Sequence, residues 1–233
     1  MQTVDKTKKL ALVSMFSAII LMLAFTPIGF IQLAFIKATI IHVPVIIGSI
    51  LLGPKAGAAL GFLFGVTSFI SNTMTPAILS FVFSPLVPVP GTDQGSLLAL
   101  LICFIPRVLV GVVTWYTYQL LEKLLKEKNT MFSLAVAGVS GALTNTLLVM
   151  HLIYFLFQDT YAAARGVPLE QTYQAVLAVI FTNGIPEALV AGIITMTVCK
   201  ALMVFLNTKR VQDKSMQPAT PLEEGSEKNK KEP

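Results

Sequence analysis

Six apolar runs constrain this chain more than any other feature of it. They extend from Leu10 to Thr26, Thr39 to Leu52, Ala56 to Ser71, Leu97 to about Leu125, Phe132 to Phe157, and Ala175 to about Leu206. A membrane-spanning helix needs about 20 mostly apolar residues, and only the second run is clearly short of that. Composition agrees: 55% of the residues are hydrophobic and 12% charged, where a soluble domain carries about 25% charged residues. So little polar surface cannot cover a water-soluble globule, which excludes a soluble enzyme domain. The expected fold is all-α, a six-helix integral membrane bundle over residues 1–206, with long outer loops. Residues 207–233 are expected to form a disordered cytoplasmic tail, rich as they are in Glu, Lys and Pro.

The net charge of +5 raises a nucleic-acid reading, but its distribution argues against one. With an even number of spans both termini share a side. That side carries Lys6, Lys8, Lys9, Lys55, Lys123, Lys126, Lys128, Lys200, Lys209, Arg210 and Lys214, against Lys37 and Arg165 opposite. Basic residues flanking spans mark the cytoplasmic face. The expectation is a multi-pass protein of the cell membrane with both termini cytoplasmic and no nucleic-acid partner. The first run has a basic start but no clear small-x-small cleavage site, and reads as a retained helix.

Connections on the cytoplasmic side are short, namely Gly53-Pro54-Lys55 and Glu122 to Thr130. Those outside are long: Pro27 to Ala38, Asn72 to Ser96, and Gln158 to Gln174. The middle one holds four prolines (Pro76, Pro85, Pro88, Pro90) and the apolar stretch Phe81-Val82-Phe83. A long loop with apolar residues of its own tends to pack over something. A lid above an outward-facing pocket is the functional reading; a re-entrant or merely protective loop is the other.

Ionisable residues within a span are costly and face the bundle interior. Arg107 and Glu187 are two such residues, each directly after a proline (Pro106, Pro186). At 1.5 Å per residue, Arg107 lies about 15 Å below the outer helix end, Asn183 about 12 Å, and Asn145 and Glu187 about 18 Å. The hydrocarbon is about 30 Å thick, so these four groups share a level near its middle. Asn183 and Glu187, four residues apart, also share a helix face. Each proline removes a backbone donor and frees the carbonyl one turn earlier, which in lipid needs a partner. Interrupted helices with polar groups at this depth point to transporter binding sites. Two readings remain open and are compatible. An Arg107–Glu187 ion pair locks the fourth span to the sixth, or the polar groups meet a polar or anionic ligand from outside.

Several chemistries lack their parts. The two histidines, His42 and His151, have no second ligand at metal spacing, and both cysteines, Cys103 and Cys199, lie in apolar runs. There is no phosphate loop, no G-x-S-x-G and no H-E-x-x-H. No catalytic residue, metal or cofactor is expected, and energy from ATP would have to come from partner chains. Gly57, Gly61 and Gly65 form a small-residue stripe on the third span, and Ala11, Ser14 and Ala18 one on the first. Such stripes let helices approach closely in lipid. Contact within the chain is the favoured reading for the glycines, and docking to a second membrane protein for the first span.

The segment His42 to Gly65, with Pro106-Arg107-Val108-Leu109-Val110-Gly111, Leu143-Thr144-Asn145-Thr146 and Asn183-Gly184-Ile185-Pro186-Glu187-Ala188, resembles the substrate-binding S components of energy-coupling factor (ECF) vitamin transporters. The likeness covers about Lys8 to Leu206. It implies a six-helix protein that binds a vitamin or precursor from outside. It also implies partners: a transmembrane T component and two cytosolic ATPase subunits. Small residues of the first helix mark the docking face in that family, and Ala11, Ser14 and Ala18 occupy those places here, with serine replacing one alanine of the usual Ala-x-x-x-Ala. The segment Phe69 to Pro76 followed by Ser80 to Pro85 is most similar to the branch assigned to pantothenate, a small carboxylate for which Arg107 is a natural partner. The expected substrate-binding set is Arg107, Asn145, Asn183 and Glu187 with His151, Asn72 and Thr75. Another vitamin, pyridoxine-like or folate, is the alternative within the class. A membrane enzyme or a stand-alone channel is the alternative outside it.

Overall fold

A computed structural model describes residues 6–26, 29–33, 36–126 and 128–215. The helices are α1 (Lys6–Phe25), α2 (Val43–Leu52), α3 (Pro54–Met74), α4 (Leu98–Leu124), α5 (Thr130–Arg165), α6 (Thr172–Val179) and α7 (Ile185–Ser215). The chain divides after Cys199 into two units. The first holds the bundle and the site; in the second, the described residues 200–215 continue as helix. The tail expected from residue 207 is instead helical over residues 207–215, as the end of α7, and the rest of it lies outside the described residues.

The fold is all-α, with one small addition. Two short strands, β1 (Phe30–Leu33) and β2 (Ile36–Thr39), pair antiparallel with Phe30 opposite Thr39 and Leu33 opposite Ile36. They occupy the first long connection, and β2 takes up Thr39, where the second span was expected to begin. That span is therefore only the ten residues of α2, about 15 Å long. A proline in its first turn and Gly53-Pro54 beyond its end bound it. Every residue of α2 except Leu51 is buried. A helix apolar on all sides belongs inside a bundle, and here its neighbours are protein. Among the described residues, five other stretches are long and apolar enough to cross a membrane: α1, α3, α4, α5, and Leu169–Phe205, which runs through α6 into α7.

Helices α3 and α4 meet backbone to backbone. A Cβ at Gly57 would meet the Gly111 carbonyl, one at Gly111 would meet the Gly57 backbone, and one at Gly61 would meet the backbone of Arg107. The Ser49 hydroxyl donates to the Gly111 carbonyl from α2. The glycine stripe thus serves contact within the chain, as small residues do where helices approach without intervening side chains.

Two helices depart from their expected limits. The fifth run was expected to end at Phe157, and Phe157 does leave helical geometry (φ −138°, ψ 29°). The helix then resumes for two turns to Arg165, where Gly166 in the left-handed region (φ 65°) stops it. In the sixth span a π-helical turn, Ile180–Gly184, separates α6 from α7. The Ile185 N–H donates across it to the Ile180 carbonyl, and wide turns of this kind recur at functional sites.

The long connection between α3 and α4 is packed down. Its single 3₁₀ turn, Ser80–Val82, is wholly buried. Phe81 and Val82 join a core with Ile102 of α4, Val149, Ile153 and Tyr161 of α5, and Val176 of α6. Phe81 meets Phe157 edge to face with centroids 5.8 Å apart, a favoured aromatic geometry.

Candidate functional site

Beneath this loop lies a cavity of about 420 Å³. Its walls come from α3 (Phe64, Thr67, Ser68, Ser71, Asn72), α4 (Arg107) and α5 (Asn145, Thr146, Val149, Met150). The π turn with its flanks adds Val179, Asn183 and Glu187, and the loop itself adds Phe83. The four polar residues placed at one level by helix-rise arithmetic therefore line one space, and Asn72 joins them.

Arg107 is 6% exposed. Pro106 has no N–H to give the carbonyl four residues before it, that of Ile102. Arg107 Nη1 donates to that same carbonyl at 2.7 Å. Its guanidinium carbon lies 5.6 Å from the Phe64 ring centroid and 4.9 Å from that of Phe83, a cation–π sandwich between α3 and the loop. Nε is buried without a hydrogen-bond partner. The side chain is thus held in place with donor capacity unspent.

Asn145 presents a buried Oδ1 that also lacks a partner. Asn183 sits within the π turn and is largely exposed. Glu187 follows Pro186 in the first turn of α7, with Oε1 3.4 Å from Nδ1 of His42. Among the described residues, this is the contact that Glu187 makes with a basic side chain within 4 Å. The expected Arg107–Glu187 pair is not formed at that distance. The two residues face one cavity from different helices, Arg107 held by a carbonyl and two rings and Glu187 beside an imidazole.

Other polar groups on the wall are satisfied locally. Thr67 donates to the Phe64 carbonyl at 2.8 Å, the back-bonding by which a hydroxyl sits at depth without a distant partner. Asn72 donates to Ser68 O at 2.8 Å and accepts from the Ser80 hydroxyl at 2.7 Å, while Ser80 Oγ in turn accepts from Ala77 N. The Thr73 and Ser84 hydroxyls are 2.7 Å apart. The end of α3 is in this way clasped to the loop at two points.

Two expected site residues stand elsewhere. Thr75 is exposed and caps the end of α3, its N–H donating to Ser71 O. His151 has Nδ1 2.7 Å from the Leu147 carbonyl of its own helix, and its ring meets Tyr173 at 6.3 Å. Neither lines the cavity. Sequence reasoning missed Phe64, Phe83, Ser68 and Ser71 on the wall and His42 behind it. Ser68 and Ser71 lie near the glycine stripe, which drew the reading of α3 toward helix contact. Among the described residues no cluster of His, Cys, Asp or Glu could hold a metal ion. On α1, the buried residues are Phe16, Ile20 and Leu23, whereas Ala11, Ser14 and Ala18 are exposed.

In chemical terms the cavity offers a fixed cation, amide groups, a carboxylate and an apolar wall of Val149, Met150 and Val179. It suits a small ligand with an anionic group and hydrogen-bonding groups at some distance from it. Its volume falls within the usual range for small-molecule sites, about 300–1,000 Å³.

Known proteins agree with this picture. The family model described as "ECF transporter, substrate-specific component" matches residues 8–199. The chain is 37% identical over 167 residues to the Pantothenic acid transporter PanT of Lactococcus lactis subsp. cremoris, covering 72% of this chain and 78% of that one. It is 31% identical over 199 residues to the Pantothenate transporter PanT of Leuconostoc mesenteroides subsp. mesenteroides, covering 82% and 89%. Among solved structures, it shares its fold with the S-component for biotin from an ECF-type ABC transporter: TM-score 0.50, 18% identity, 86% of this chain and 95% of that one. With a polar cavity inside an apolar bundle and a family match over most of its length, this membrane protein belongs to the ECF transporter substrate-specific components.

Proposed function

We propose that the chain binds pantothenate from the outer face of the cell membrane and delivers it inward with a transmembrane T component and two cytosolic ATPase subunits. The observation that carries this reading is the joint presence of Arg107, Asn145, Asn183, Glu187 and Asn72 on one cavity, in a chain whose relatives bear the pantothenate name. Pantothenate has a carboxylate at one end, hydroxyls at the other and an amide between. Arg107 pairs with the carboxylate, a charge-assisted contact. Glu187 accepts from a hydroxyl, and the asparagines serve the amide and the remaining hydroxyl. The loop bearing Phe83 acts as the lid. Both termini lie in the cytoplasm, and the exposed face of Ala11, Ser14 and Ala18 is where the T component docks.

A thermal-shift screen of the purified protein against a panel of vitamins tests the substrate. Pantothenate should raise Tm at the lowest concentration, since a ligand that binds only the folded state stabilises it. Stabilisation by a different vitamin alone overturns the assignment. Ala18→Trp tests the docking face: ATP-driven uptake in the assembled transporter should fall while pantothenate binding by the isolated chain persists. Loss of binding without a separate effect on uptake refutes that face.

A further inference from the structure

His42 precedes α2 and is 1% exposed. It does not line the cavity. Its Nδ1 lies 3.4 Å from Glu187 Oε1, and Glu187 does line it. Among the described residues, neither ring nitrogen of His42 has a hydrogen-bond partner. The backbone that carries it is held firmly. Its carbonyl accepts from Ile46 N at 3.1 Å, Gly48 of α2 fits against Leu60 and Phe16, and Ser49 is bonded to the α4 backbone.

Burying an imidazole with neither nitrogen bonded is unfavourable, and an apolar side chain would fill the same space at less cost. His42 is therefore poorly explained as a packing residue. The polar group it approaches is the carboxylate of Glu187. We propose that His42 is a positioning residue for substrate recognition: standing 3.4 Å behind one oxygen of Glu187 with both its nitrogens unspent, it takes up that oxygen when the other engages a hydroxyl or amide N–H of the ligand. Glu187 touches the substrate; His42 acts only through it. His42 stands at the start of α2, whose residues are all buried except Leu51, and a packed support of this kind is how a residue keeps a contact group in a productive orientation. The inference rests on the reading of this cavity as the substrate site.

The test is a double-mutant cycle on the full chain purified in detergent, with pantothenate as ligand and Kd measured by calorimetry. His42→Met replaces the ring by an apolar chain, His42→Gln keeps a donor, and Glu187→Gln removes the charge that His42 serves. His42→Met should weaken binding about tenfold, and His42→Gln should recover most of the loss; a coupling of this size is ordinary for residues in direct contact. In the Glu187→Gln background, His42→Met should change Kd by less than about twofold, as expected when one residue acts through the other. Equal losses in both backgrounds, or no loss in either, overturn the proposal and leave His42 as a core residue. The Tm of each ligand-free variant separates a folding defect from a binding one, and should His42→Met not fold, the cycle runs with the apolar His42→Leu. If the unmutated chain binds another vitamin and not pantothenate, the substrate reading fails, and the same cycle with that vitamin still decides the role of His42.

Discussion

Arg107 gives the Ile102 carbonyl, through Nη1 at 2.7 Å, the hydrogen bond that Pro106 cannot. A proline that interrupts α4 and the cation that follows it are thus one device. The interruption provides an anchor for a guanidinium that would otherwise be a free buried charge, and the guanidinium repairs the interruption. The phenyl rings of Phe64 and Phe83 cover its faces, while Nε stays unpaired.

That device has two separable readouts. Arg107→Ala should weaken pantothenate binding by about 1.5 kcal/mol or more, the worth of a hydrogen bond to a charged group. It should also lower Tm, because the Ile102 carbonyl is left without a partner. Adding Pro106→Ala restores a backbone donor to that carbonyl. The double variant should regain Tm but not affinity, as measured by thermal unfolding and calorimetry side by side. Unchanged affinity in Arg107→Ala would leave the residue a purely structural role.

Phe83 connects the loop to the charge. Phe83→Leu keeps apolar bulk and removes the ring face. Loss of one cation–π contact is worth about 0.5–2 kcal/mol, so affinity should drop by between about twofold and thirtyfold, while Phe83→Tyr stays near the unmutated value. The ligand-free Tm should move little in both. Leucine and phenylalanine variants with the same Kd would mean that the ring is only a cover.

The clasp between α3 and the loop consists of Asn72 with Ser80 and Thr73 with Ser84. Removing both hydroxyls (Ser80→Ala with Ser84→Ala) costs about 0.5–1.5 kcal/mol for each bond lost. The loop between residues 75 and 96 should then be cut faster in limited proteolysis, and bound pantothenate should dissociate faster. Added ligand should slow the cutting. Cleavage rates indifferent to both the substitutions and the ligand would count against a lid.

Orientation can be checked by cysteine labelling, since both native cysteines are buried. Arg165→Cys and Lys55→Cys each place a thiol at an exposed position. An impermeant maleimide should reach residue 165 on intact cells and residue 55 only after permeabilisation. Labelling of both from one side would overturn the assigned topology.

Much of the site could be read in the sequence because depth is arithmetic. A rise of about 1.5 Å per residue put Arg107, Asn145, Asn183 and Glu187 at one level, and costly side chains at that level have few places to face other than inward. What the residues could not disclose was which partner each would meet. His42 stands at the outer start of a short run, so it did not register as a buried polar group, and its approach to Glu187 depends on how α2 is tucked inside the bundle. The hairpin at residues 30–39 was read as a loop because FIQL and IKAT give a two-residue period too short to recognise alone. The two turns of α5 beyond Phe157 were missed because Gln158 and Asp159 mark a polar boundary, which here is a kink and not an end. Thr75 and His151 belong to the expected set by their place along the chain, and place along the chain does not fix the direction of a side chain.

The bare contact of Gly57 with Gly111, and of Gly61 with the Arg107 backbone, has a mechanical outcome. Helices slide past one another on a cushion of side chains, and no cushion exists at this crossing. The third and fourth helices are therefore welded into a single beam with the cation mounted on it. Any rearrangement of the bundle that moves the site must carry that beam whole.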